Sequence, residues 1–167
     1  MKRSSLRLGV AWLLSALLST TLATTAYAAP ATPGEALSPI VTTDQHDRPL
    51  RTEPSTRTLL FAADKAASDL VTETLRPHGA DVLTTRQAVF IADIHAMPAL
   101  ITRMFALPAL RELPFAVGLV RDPALTADLP RLKGQVTLVT LRDGVVQTVR
   151  HLSSAADVRQ VLALPAR

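Results

Sequence analysis

Gly134–Leu164 reads GQVTLVTLRDGVVQTVRHLSSAADVRQVLAL, and this stretch decides the fold. Val136–Leu141 (VTLVTL) and Val145–Arg150 (VVQTVR) are β-prone runs joined by Arg142-Asp143-Gly144. Asp-Gly tolerates the positive φ angles of a tight turn, so the two runs predict an antiparallel hairpin. Ser153 or Ser154 then offers an N-cap hydroxyl. Val158, Val161, Leu162 and Leu164 recur at helical spacing behind it and predict a closing helix. A hairpin followed by a helix needs further strands to pair with and a face to cover.

The upstream chain supplies those strands. Thr58–Ala62 (TLLFA) is a short apolar run bounded by polar residues, consistent with a buried strand. Asp64 is placed to cap a helix carrying Ala66, Ala67, Leu70, Val71, Thr74 and Leu75, which Pro77 and Gly79 stop. Ala88–Ile94 (AVFIADI) is apolar on both faces, as an internal strand between covering layers should be. From Pro98 the pattern turns helical again, with Leu100, Ile101, Met104, Phe105 and Leu107 as a stripe expected to face the core. Pro108 is expected to break that helix before Ala109–Leu113 and to leave Phe105 or Leu110 partly exposed. Phe115–Val120 is a third strand, and Leu125–Leu129 a short helical turn. Near the start, Ile40–Thr43 and Arg48–Leu50 flank the turn-like Asp44–Asp47 and predict a small hairpin. No internal repeat divides the chain, so residues 38–167 are expected to form one α/β domain with a mixed sheet.

Composition narrows the function classes. The chain has 167 residues, 48% of them hydrophobic, and no cysteine. It therefore has no disulfide, thiolate metal site or thiol mechanism. Lys2, Arg3 and Arg7, the apolar Leu8–Leu18 and the small-residue site Ala26-Tyr27-Ala28 resemble a secretory signal peptide, with cleavage expected after Ala28. Of 18 basic and 14 acidic residues, the three cations of that segment would leave with it, taking the net charge from +4 to +1. The basic balance thus gives little support to nucleic-acid binding, and no membrane attachment is expected after cleavage. Ala29–Leu37 (APATPGEAL) reads as a flexible or extended leader.

Ser38–Asp64 (SPIVTTDQHDRPLRTEPSTRTLLFAAD) resembles the opening of periplasmic thioredoxin-like and peroxiredoxin-like domains, where a hairpin precedes the active-site strand. Gly134–Leu164 resembles the thioredoxin C-terminal unit, and Pro114–Lys133 the strand and turn that peroxiredoxin-like members insert before it. The resemblance implies a thioredoxin-like three-layer α/β/α domain with a central mixed sheet and an N-terminal hairpin. It also marks two departures. Ala66-Ala67-Ser68-Asp69 stands where redox-active relatives carry Cys-x-x-Cys, and Gly134-Gln135-Val136-Thr137 where they carry a cis-proline motif. A trans peptide is expected before Val136, because a cis bond there costs about 2.5–4 kcal/mol.

Candidate sites are few. Asp93 and His95 lie two apart at the end of a strand, on one side, where α/β sheets commonly place ligands. Asp64, Lys65, Ser68 and Asp69 follow the neighbouring strand, so the patch Asp64, Lys65, Asp69, Asp93 and His95 is the place where polar groups should converge. Helix capping by Asp64 and Asp69 is the plainer reading of the same residues. Ser68 with His95 lacks the G-x-S-x-G setting of a hydrolase nucleophile. Asp44, His46 and Asp47 crowd one turn, where aspartates serve local backbone hydrogen bonds more readily than a metal ion. His78 precedes Gly79 at a helix end, where a cation suits the dipole, and His151 ends a strand. No phosphate-binding glycine motif occurs, and Phe61, Phe90, Phe105 and Phe115 occupy core-like positions, so no flavin, other cofactor or metal is expected.

The expected function is that of an exported, redox-inactive binding or accessory protein of the bacterial periplasm, taking a protein partner or a small ligand. The alternative is an enzyme with acid–base, metal-assisted or flavin-linked (dehydrogenase-type) activity at the Asp64/Asp69/Asp93/His95 patch.

Overall fold

Apolar and β-branched runs become strands: β1 (Val41–Thr43), β2 (Pro49–Arg51), β3 (Thr58–Ala62), β4 (Ala88–Asp93), β5 (Gly118–Val120), β6 (Val136–Arg142) and β7 (Val145–Leu152). The computed structural model describes residues 30–165, and the expected signal segment lies outside the described residues. The strands form a single sheet in the order β2-β1-β5-β4-β3-β6-β7. β3, β4 and β5 run parallel, while β1 and β6 join them antiparallel. Leu59, Leu60, Phe61 and Ala62 are all fully buried, which places β3 in the interior with cover on both faces.

That cover is unequal. Leu60, Ala62, Phe90 and Leu138 pack one face against α1 (Lys65–Leu75) and α4 (Ala155–Val161). On the other face Leu59, Phe61, Ile91 and Val139 meet Leu37, Ile40 and Leu129, a thinner layer drawn from the N-terminal segment and the loop before β6. That loop contains a 3-10 turn at Pro123–Thr126, two residues ahead of the expected Leu125–Leu129 turn. Asp122 sets its start by accepting a hydrogen bond from the Ala124 N–H.

The β6–β7 hairpin turns at Asp143 (φ 52°) and Gly144 (φ 78°), the pair of positive angles that Asp-Gly was expected to supply. Ser154 caps α4 in a reciprocal box with Asp157. β5 needs its glycine, since a Cβ on Gly118 would lie 3.0 Å from Leu50 Cδ2 and 3.1 Å from Thr42 Cγ2. No cis peptide bond occurs among the described residues, including the one before Val136.

Three expectations need correction. Residues 30–37 do not form a free leader. Gly34 N–H donates to Val146 O, Leu37 N–H to Gly144 O, and Val146 N–H to Glu35 O. Leu37 is buried, so this segment closes part of the β7 edge. Pro108 does not end the second helix. The helical run 99–111 comprises α2 (Ala99–Ile101), a π-helical turn (Thr102–Ala106) and α3 (Leu107–Arg111). The widened turn lies one turn ahead of Pro108, where the missing N–H and the ring disturb the regular ladder. The apolar stripe is not in the core: Leu100, Met104 and Phe105 are 66%, 59% and 62% exposed. Behind the widened turn Leu107 and Leu110 pack partly buried on the sheet layer instead.

Candidate functional site

Asp64 occupies the N-cap of α1, and both of its carboxylate oxygens are engaged. Oδ1 accepts from Ala67 N at 2.9 Å and Oδ2 from Gly134 N at 2.7 Å. The Gly134 and Ala67 amides hold this carboxyl below the usual carboxylate value. One turn on, Lys65 Nζ pairs with Asp69 at 2.5 Å, an exposed i,i+4 ion pair.

Asp93 closes a different network on the thinner-covered side. Its side chain is 1% exposed, and its Oδ1 accepts from His95 N at 3.0 Å and lies 2.6 Å from His95 Nδ1. Oδ2 accepts from Arg131 Nη2 at 2.9 Å. Burial alone would raise the Asp93 carboxyl, but the hydrogen bonds from Arg131 and His95 outweigh it and hold it below its ordinary value. Arg131 also donates to the carbonyl and hydroxyl oxygens of buried Thr126 and sits 5.1 Å from the centre of the Phe61 ring. Arg131 and Thr126 were not legible as site residues, because Arg131 reaches Asp93 across 38 residues and no local pattern marks either residue.

The five residues expected to converge therefore divide into three separate sets of bonds: Asp64 with backbone amides, Lys65 with Asp69, and Asp93 with His95 and Arg131. Four of the five share a cavity. A cleft of about 390 Å³ lies between α1 and the helical run 99–111, and Asp64, Lys65, Asp69 and Asp93 line it while His95 does not. Its polar wall is α1, through Lys65, Ser68, Asp69 and Thr72, with Arg76 just past the helix end. The opposite wall is apolar, with Ile101, Phe105, Ala109 and Leu110.

The remaining candidates are accounted for structurally. Asp44 is 3% exposed; Oδ1 accepts from the His46 and Arg48 amides and Oδ2 from the Arg48 guanidinium. Asp47 instead meets Arg111 at 3.4 Å. His151 Nδ1 lies 3.3 Å from Thr137 Oγ1 across the hairpin. No group of three or more His, Cys, Asp or Glu able to hold a metal occurs among the described residues. The turn holds one residue that sequence reading missed. Gln45, 1% exposed, donates to Phe115 O and accepts from Val117 N, each at 2.8 Å, pinning the N-terminal hairpin to the segment before β5.

No protein-family profile and no curated protein matches the sequence. Solved structures do match the fold. Peroxidoxin BcpB from Mycobacterium tuberculosis superposes over 78% of this chain and 94% of its own, at 15% identity and a TM-score of 0.50. A hypothetical protein from Sinorhizobium meliloti 1021 gives 77% and 80% coverage, 16% identity and a TM-score of 0.51. The thioredoxin domain of a thiol-disulfide oxidoreductase from Bacteroides vulgatus covers 78% and 98%, at 9% identity and a TM-score of 0.48. The fold is thioredoxin-like. The sequence resemblance sets Ala66–Asp69 and Gly134–Thr137 against the Cys-x-x-Cys and proline-loop motifs; in the fold the first stretch lies in α1 and the second leads into β6. Gly134 N–H donates to Asp64, the N-cap two residues before the first stretch, and so ties the start of α1 to the approach to β6. With no cysteine in the chain, this thioredoxin-like fold carries no thiol.

Proposed function

We propose that the chain is an exported accessory protein of the bacterial periplasm that binds a ligand or partner segment in the cleft between α1 and the helical run 99–111. The observation that carries this reading is the cleft, about 390 Å³ with one apolar and one polar wall, lined by Ser68 and Asp69 of the stretch that the sequence resemblance sets against Cys-x-x-Cys. Its size falls in the range of small-molecule sites. Phe105 at its mouth is 62% exposed, leaving a large apolar side chain for an occupant to cover. Export is supported by the signal-like composition of residues 1–28.

Native mass spectrometry of the protein, purified from its source without refolding, tests the reading. A retained one-to-one noncovalent mass, lost in Ala106→Phe, is the expected result. Wild-type and variant spectra that both show only the bare chain would count against it.

The Asp93–His95 pair favours a second reading. A buried carboxylate 2.6 Å from Nδ1 orients an imidazole whose other nitrogen is free to act as a base. An enzyme of this kind requires turnover that His95→Gln abolishes while the fold stays intact.

A further inference from the structure

The cleft's charges differ in what they have left to offer a ligand. Asp64 spends both oxygens on backbone amides, and Asp93 spends its own on His95 and Arg131. Lys65 and Asp69 neutralise each other. Arg76 also lines the cleft, and its guanidinium has no hydrogen-bond or ion-pair partner among the described residues. It follows the last residue of α1, where a cation is favoured by the unpaired helix carbonyls.

The apolar wall extends along the same groove. α1 and the helical run 99–111 each connect neighbouring parallel strands, so both start at the C-terminal ends of the strands and return toward their N-terminal ends. Met97 and Ile101 therefore lie toward the start of the groove. Leu110 and Leu113 lie toward its far end, where α1 finishes at Arg76.

Resting on the cleft as the binding site, we propose that its ligand is an amphiphilic carboxylate: a single apolar chain lying along Ile101, Phe105, Ala109 and Leu110, with its anionic head at Arg76. An unpaired guanidinium beside an apolar wall complements that chemistry, because it can take both carboxylate oxygens while the chain leaves water. A cationic amphiphile of the same length would meet Arg76 with like charge.

Calorimetric titration of the full chain tests this with three probes of one chain length, dodecanoate, dodecanol and dodecyltrimethylammonium, each below its micellar concentration. Dodecanoate is expected to bind one-to-one and most tightly. Arg76→Gln should weaken it about tenfold while leaving dodecanol unchanged. Ala109→Phe, an exposed site on the apolar wall, should abolish both. If dodecanoate, dodecanol and dodecyltrimethylammonium bind equally, or Arg76→Gln leaves dodecanoate unchanged, the carboxylate assignment is overturned and the binding site stands. If none of the three binds, the carboxylate proposal fails; a native mass still lost in Ala106→Phe would then show that the cleft holds another chemistry.

Discussion

Asp64 shows how much one carboxylate does when its oxygens face two elements. It caps α1 and holds the first residue of the β6 approach, so Asp64→Ala removes a helix cap and strands the Gly134 amide. Urea denaturation at pH 7 should register a loss of about 2 kcal/mol. Because the folded carboxyl sits below its ordinary value near 3.8, its stabilisation is present in full above that value and is lost as pH falls through the lower folded value. The gap between wild type and Asp64→Ala should therefore narrow below pH 3.8. Asp93 is the stricter case, because its side chain is buried. Arg131→Ala leaves that carboxylate with His95 alone and should cost about 2–3 kcal/mol by the same assay. Adding Asp93→Asn to Arg131→Ala should recover part of the loss, since no buried charge is then stranded. Asp64 was readable as a cap from the helical spacing behind it. Arg131 and Gln45 were not, since their partners lie 38 and about 70 residues away and only the folded sheet brings them together.

At the scale of elements, the helical run 99–111 is where pattern and structure part. Periodicity identified Leu100, Ile101, Met104 and Phe105 as one face of a helix, and they are one face. Periodicity does not say which way that face points. The π-helical turn at Thr102–Ala106 separates the stripe from Leu107 and Leu110, and the latter pair meets the core. Met104→Ser and Leu100→Ser should consequently change global stability by less than about 0.5 kcal/mol. Burial in a core would instead make each cost about 2–5 kcal/mol, so thermal or chemical denaturation separates the two arrangements. By contrast, the β6–β7 hairpin and α4 were legible almost residue by residue. Their signals, Asp143-Gly144 and the Ser154 capping box, are local and act on neighbouring backbone.

For the whole molecule, the thioredoxin-like fold persists without its redox chemistry because the two rest on different residues. The sheet is held by Leu59–Ala62, Phe90, Ile91 and Leu138 buried on both faces, none of which takes part in thiol exchange. The chain has no cysteine, and beside α1 it carries a half-apolar cleft. Its occupant was not readable from sequence, because the polar and apolar walls come from segments separated by the whole of β4. The most direct measurement is amide chemical-shift mapping by NMR of the labelled protein as dodecanoate is added. Shifts confined to residues 64–76 and 92–113 are the predicted result. Shifts centred on Arg131 and His151, or no saturable shifts at all, would contradict the assignment of the cleft as the binding face.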